Sequence, residues 1–198
     1  PTANFPAIQF ITEYAREKNR QEQKTLDLSL VTNMTLMDQE KADWLIDNKV
    51  LICTSLDGPE AVHNWNRTWI RGNEAGAYAT VRKWMGYFNQ RYIDQGLDPD
   101  LWHVDALMTT TKKTLEHWKE TIDLYVELGI RNVHLRPLNP FGFAMGTWKR
   151  IGYSLEEFEH FYEQALDYIL ELNKQGVEVM ERHAAIMLNK IMADEEPN

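Results

Sequence analysis

Four short runs rich in strand-forming residues alternate with segments of helical periodicity, and this alternation constrains the chain most. The runs are LDLSLVT (Leu26–Thr32), VLICTS (Val50–Ser55), HVDALMTT (His103–Thr110) and NVHLRPL (Asn132–Leu138). Between and around them, apolar residues recur at helical spacing. Ile8, Ile11, Tyr14 and Ala15 mark a helix from Pro6 to about Gln23, with proline at its first turn. Asp38 is a suitable N-cap for the next helix, through Trp44, Leu45 and Ile46. Val81, Trp84, Met85 and Phe88 share one face of a helix from Tyr78 to Gln95. Leu115–Leu128 reads as a helix stopped by Gly129. Ser154 and Glu157 form a capping box for a helix to about Lys174, and Glu181–Ile191 is a last helix after the short segment VEVM.

Strands that alternate with helices imply parallel pairing through right-handed crossovers. The expected fold class is therefore α/β, with parallel strands near 26–32, 50–55, 103–109 and 132–137 in sequential order. VLICTS and NVHLRPL are apolar enough for burial on both faces. In such sheets ligands sit at the carboxyl ends of the strands. Here those ends read Thr32-Asn33, Ser55-Leu56-Asp57, Thr109-Thr110-Thr111 and Arg136-Pro137-Leu138. Any one of them serves equally well as a helix cap or turn; four in register point to a ligand site.

Composition excludes several classes. A net charge of −9 opposes a nucleic-acid partner, whose phosphates require a basic surface. No apolar run nears the ~20 residues of a membrane span, and PTANFPAIQF has no signal-peptide pattern. The single cysteine, Cys53, excludes an internal disulfide framework and lies inside an apolar strand, where it reads as a small core residue. A cytoplasmic setting is the default expectation. The six histidines lack ligand spacing, so no metal site is assigned. No GxGxxG, P-loop or GxSxG motif is present. Residues 1–193 read as one core with C-terminal helices, and 194–198 as a loose tail.

The stretch VTNMTLMDQEKADWLIDNKVLICTSLDGPEAVHNWNR resembles the radical S-adenosylmethionine enzymes of the sulfatase-maturase and peptide-maturase group, the SPASM type. Their pattern is a strand ending in TNG, a helix, a strand ending in SLDGP, and an H-[DN]-x-x-R tail. LRPLNPFGFA (Leu135–Ala144) is similar to the region of their sixth strand. Met34 stands where that group has glycine. The resemblance implies a partial (β/α) barrel, a fragment holding strands three to six, because neither the CxxxCxxC loop nor the auxiliary-cluster cysteines occur. It implies S-adenosylmethionine and a [4Fe-4S] cluster in a longer parent, with neither expected on this fragment. It also implies a protein or peptide substrate and association through an exposed barrel edge. By the same resemblance Ser55 and Asp57 lie near the ribose and Arg67 near the methionyl carboxylate. Asn33 shares their rim, and the backbone of Arg136–Leu138 flanks the adenine. No catalytic residue is assigned. A surface ion pair of Arg67 with Glu60 or Glu74 is the competing reading of that arginine. Two other functions fit the residues: a non-catalytic α/β module for a nucleotide-like ligand, and a hydrolase or lyase using Asp57 and His63 as an acid–base pair.

Overall fold

A computed structural model of the chain describes residues 1–68 and 76–193. Trp69, Gly72, Glu74 and the tail 194–198 lie outside the described residues. In chain order the elements are a 3-10 turn Thr2–Asn4, α1 Phe5–Glu22, β1 Ser29–Thr32, α2 Gln39–Asp47, β2 Leu51–Ser55, α3 Glu60–Asn66 and α4 Gly76–Asp94. There follow β3 Asp105–Leu107, α5 Lys112–Glu116, α6 Trp118–Glu127, β4 Asn132–Val133, α7 Phe143–Ile151, α8 Leu155–Lys174, β5 Met180–Glu181 and α9 Arg182–Met192. The chain forms two compact units: Pro1–Ser55 with Ala77–Asp105, and Leu56–Gly76 with Ala106–Asn198.

In the first unit β1 and β2 pair in parallel, Ser29 opposite Leu51 and Thr32 opposite Thr54. The buried Thr54 hydroxyl donates to the Thr32 carbonyl at 2.9 Å. Asp38 caps α2 as expected, its Oδ1 accepting from the Lys41 amide at 2.9 Å. α2 buries Ala42, Leu45 and Ile46. α4 buries Val81, Trp84, Met85 and Phe88, the stripe read from the sequence, and Tyr92 as well. α1 departs from its reading. The helix forms, yet Ile11 and Tyr14 are exposed and Thr12 is its buried residue. Its attachments in the unit are lateral: Phe5 meets Trp44 edge-on at 5.5 Å, and Arg16 Nη1 donates to Asn48 Oδ1 at 2.7 Å.

In the second unit β4 pairs in parallel with β5, Val133 opposite Glu181. The Glu181 side chain, 3% exposed, holds the ladder together. Its Oε1 accepts from the Leu135 amide at 3.1 Å, and its Oε2 accepts from the Ala184 amide and the Tyr162 hydroxyl, both at 2.7 Å. Ile122, Tyr125, Val133, Leu135, Phe161, Ala165 and Ile169 are buried here. Ser154 and Glu157 form the expected capping box of α8.

The strands are shorter than the sequence suggests. The run 103–109 contributes only Asp105–Leu107, and 132–137 only Asn132–Val133. Beyond Val133 side chains take over the ladder's role: the Leu135 amide goes to Glu181, and the Leu138 amide donates to the Tyr153 hydroxyl at 2.6 Å. β4 takes β5 as its neighbour, so the four expected strands do not form one sequential sheet, and no closed barrel forms among the described residues. The expected helix 115–128 is two helices meeting at His117, because Thr111 starts α5 early through its own capping box with Thr114. α3 and α7 were not foreseen. α3 hides behind Gly58-Pro59, which reads as a turn, and α7 begins at Gly142, whose φ is +59°.

Candidate functional site

The opening of the second unit is a polar knot built from the SLDGP…HNWNR stretch. The Leu56 amide donates to the Leu107 carbonyl at 3.1 Å, and the Leu56 carbonyl accepts from the Tyr125 hydroxyl. Asp57 follows with no exposed surface. Gly58, at φ +134°, lies against α6; a Cβ there would sit 2.5 Å from Thr121 Oγ1, so only glycine fits. Pro59 then precedes α3, which carries His63, Trp65 and Asn66 and ends at Arg67.

Arg67 folds back on Asp57. Its Nε donates to Oδ2 at 2.8 Å and its Nη2 to Oδ1 at 3.0 Å. Nη2 also reaches Thr109 Oγ1 at 3.1 Å, while the Thr109 amide donates to Asp57 Oδ1 at 2.8 Å. Asn66 extends the network, since its Oδ1 accepts from Thr111 Oγ1 at 2.8 Å. The arginine therefore pairs with neither Glu60 nor the surface. It is oriented by a fully buried carboxylate and remains 30% exposed on its other side.

His63 is fully buried beside this pair. Its Nδ1 accepts from the Asp57 amide at 3.2 Å, which places the proton on Nε2. Burial pushes its pKa down to about 4; the Asp57 carboxylate opposes that shift and the Arg67 guanidinium adds to it. His63 therefore meets the backbone of Asp57 and is neutral at ordinary pH, so the two do not form an accessible acid–base pair.

A cavity of about 230 Å³ opens beside the knot, lined by Asp57, Arg67, Thr109 and Thr111 and by Thr147 and Arg150 of α7. Arg150 sits over Trp65, its Cζ 4.6 Å from the ring centroid, and its Nη2 donates to the Trp65 carbonyl at 3.2 Å. Of these groups the sequence reading singled out Asp57 and Arg67 and placed Thr109 and Thr111 among the strand ends. It missed Arg150, because nothing local marks residues 143–151 as a helix.

The remaining expected site residues are distributed as follows. Asn33, in the first unit, is exposed, and its Oδ1 accepts from the Thr35 hydroxyl at 2.9 Å and the Thr35 amide at 3.3 Å, an Asx-type turn. Met34 takes the left-handed φ of +57° that a glycine would favour, with its side chain fully buried. Ser55, half-buried, ends β2. Arg136 is exposed in the second unit, and Leu138 is tied by its amide to Tyr153. Another cluster stands on the same unit: His134 Nε2 and His183 Nε2 are 3.2 Å apart, one residue from each of two amides that Glu181 holds.

No protein-family model matches the chain. A cysteine-type anaerobic sulfatase-maturating enzyme of Clostridium perfringens (strain ATCC 13124) is 42% identical over 193 residues, covering 96% of this chain and 48% of that protein. The enzyme of the same description from strain 13 is 42% identical over 65 residues, 33% of this chain and 17% of its own length. The chain is a homologue of the anaerobic sulfatase-maturating enzymes. It spans about half the length of the curated relative that it matches along nearly all of its own. The same fold occurs in the solved structure of native anSMEcpe with bound AdoMet and Cp18Cys peptide, with a TM-score of 0.76 and 22% identity over 98% of this chain and 52% of that one. Native anSMEcpe with bound AdoMet superposes with a TM-score of 0.73, covering 51% of that chain.

The residues of this sulfatase-maturase homologue fit one of the groups implied by the resemblance and not the other. A cavity flanked by Arg67 and several hydroxyls suits the carboxylate end of S-adenosylmethionine. An iron–sulfur cluster needs three or four thiolates. The chain has one cysteine, whose thiol is pushed up to about 11 by burial and the nearby Asp105, and no group of three metal-ligating side chains occurs among the described residues.

Proposed function

We propose that the protein carrying this chain is a radical S-adenosylmethionine maturase that oxidises a cysteine residue in a sulfatase-type peptide. The observation behind this reading is the Asp57–Arg67–Thr109 cluster bordering a cavity, in a chain 42% identical to a sulfatase-maturating enzyme. When bound, S-adenosylmethionine supplies a carbon-centred radical able to take hydrogen from a substrate carbon. The chain's own part is positional. Asp57 holds the Arg67 guanidinium at one edge, so that its remaining donors meet a ligand carboxylate without reorganising. Thr109 braces both partners through its amide and hydroxyl. His63, buried and with its pKa lowered by burial, holds the Asp57 amide through Nδ1.

Among the described residues no helix is long and apolar enough to cross a membrane, and we place the protein in the cytoplasm. Ser55 and Asn33 belong to the proposed cofactor contacts by resemblance, as does the backbone of Arg136–Leu138, although the reading rests on the knot of the second unit alone. The test is titration calorimetry of S-adenosylmethionine into the anaerobically prepared full-length protein. It is followed by mass spectrometry of a cysteine-containing sulfatase peptide after incubation under reducing conditions. Saturable binding and a mass change at the cysteine are expected. No binding, or turnover without S-adenosylmethionine, overturns the reading.

A further inference from the structure

Two guanidinium groups border the 230 Å³ cavity, and they are not equivalent. Arginine forks a carboxylate most effectively with two parallel N–H donors on one edge. On Arg67 the edge formed by Nε and Nη2 already lies on Asp57, at 2.8 and 3.0 Å, and Thr109 Oγ1 takes a further Nη2 donor at 3.1 Å. Its charge is balanced by the same carboxylate.

Arg150 has no such partner. No carboxylate pairs with it among the described residues, and its Nη2 donates to the Trp65 carbonyl at 3.2 Å. The guanidinium carbon sits over the Trp65 ring, 4.6 Å from its centroid, a cation–π contact that restrains the side chain without using up its hydrogen-bond donors. Asp57 is the only acid lining the cavity among the described residues, so two arginines against one aspartate leave a formal charge of +1. In a chain of net charge −9 that local excess selects an anion.

We propose that Arg150, held over Trp65, is the principal carboxylate anchor of this cavity, and that Arg67 acts as a second, singly donating contact. The inference rests on the reading of the cavity as part of a cofactor and substrate site, and it names the ligand group taken there: an aliphatic carboxylate. That carboxylate has two sources, the methionyl end of S-adenosylmethionine or an acidic side chain of the peptide substrate.

Four ligands separate the cases when titrated into the full-length protein and its Arg150→Gln and Arg150→Lys variants. They are S-adenosylmethionine, 5′-methylthioadenosine (which lacks the carboxylate), a cysteine peptide bearing glutamate, and the same peptide bearing glutamine. If the cofactor supplies the carboxylate, Arg150→Gln weakens S-adenosylmethionine tenfold or more and leaves 5′-methylthioadenosine unchanged. If the peptide supplies it, Arg150→Gln weakens the glutamate peptide by that factor and leaves the glutamine peptide unchanged. Either result supports the anchor, and Arg150→Lys should recover part of the loss by keeping the charge without the fork. Equal affinities of wild type and Arg150→Gln for all four ligands overturn it. A wild type that binds the glutamate peptide through Arg150 but no S-adenosylmethionine would refute the proposed function and keep the anchor. A wild type that binds neither carboxylate ligand refutes both.

Discussion

The carboxylate of Asp57 takes both donors of one Arg67 edge, Oδ2 2.8 Å from Nε and Oδ1 3.0 Å from Nη2, with no exposed surface of its own. The two ends of this pair stand in different surroundings, and the difference makes the mutants unequal. Arg67→Ala strands a buried carboxylate on the Thr109 amide alone, and stranding a buried charge costs about 3–5 kcal/mol. Asp57→Asn leaves its charge on Arg67, which is 30% exposed and can turn to water. That loss should stay near 1–3 kcal/mol. Urea unfolding of both variants should show Arg67→Ala as the less stable. Equal midpoints would mean that Asp57 is reached by solvent.

His63 makes stability depend on pH with a definite sign. Its folded pKa is about 4, against 6.5 for the ordinary imidazole. Above 6.5 the group is neutral in both states and contributes no pH dependence. As pH falls from 6.5 toward 4, the unfolded chain takes up a proton that the folded chain refuses. Stability should drop by roughly 3 kcal/mol across that window and level off below it. His63→Asn keeps an acceptor for the Asp57 amide and should flatten the dependence. Chemical denaturation at half-unit intervals of pH measures both curves.

Met34 combines a left-handed backbone with a buried side chain. The strain is worth about 1–2 kcal/mol, and truncating a buried methionine costs about 2–5 kcal/mol. Met34→Gly should therefore still destabilise, by roughly 1–3 kcal/mol. Met34→Ala keeps the strain and loses the packing, so it should be worse than glycine by about 1 kcal/mol. Thermal unfolding that ranks alanine above glycine would contradict the backbone assignment.

Glu181→Gln should loosen α9 before anything else. The carboxylate accepts from two amides and a hydroxyl, whereas a carboxamide offers a single acceptor oxygen. α9 buries no residue of its own, so its N-terminal cap is a large part of what fixes it. Amide hydrogen exchange over residues 182–192 should rise at least tenfold while α6 and α8 stay protected. Unchanged exchange would show that other contacts hold α9.

The strands and most helices could be read from apolar periodicity, because β1, β2, α4 and α8 each bury a regular face or carry a capping residue. What escaped the sequence was whatever one segment borrows from another. β4 stops at Val133 because Glu181, nearly fifty positions on, takes over the Leu135 amide. α1 has a core-like spacing but exposes Ile11 and Tyr14, and spacing alone does not say whether a partner face is present. At the site, Asp57 and Arg67 were visible as unusual polar residues after an apolar strand. Their mutual engagement was not, nor was Arg150, because side chains 85 positions apart, such as Arg150 and Trp65, meet only in three dimensions.

The three bonds of Glu181 bridge separations of 3, 19 and 46 residues along the chain. A short loop closes at less entropic cost than a long one, so closure entropy alone ranks these contacts from the nearest to the farthest. The cap on α9 needs only its neighbours, and the Tyr162 bond needs the hairpin-like return from α8. The Leu135 bond waits for the longest closure. The β4–β5 ladder belongs with the long closure, and a ribosome releasing this chain must deliver α8 and β5 before Asn132 and Val133 can pair as a strand.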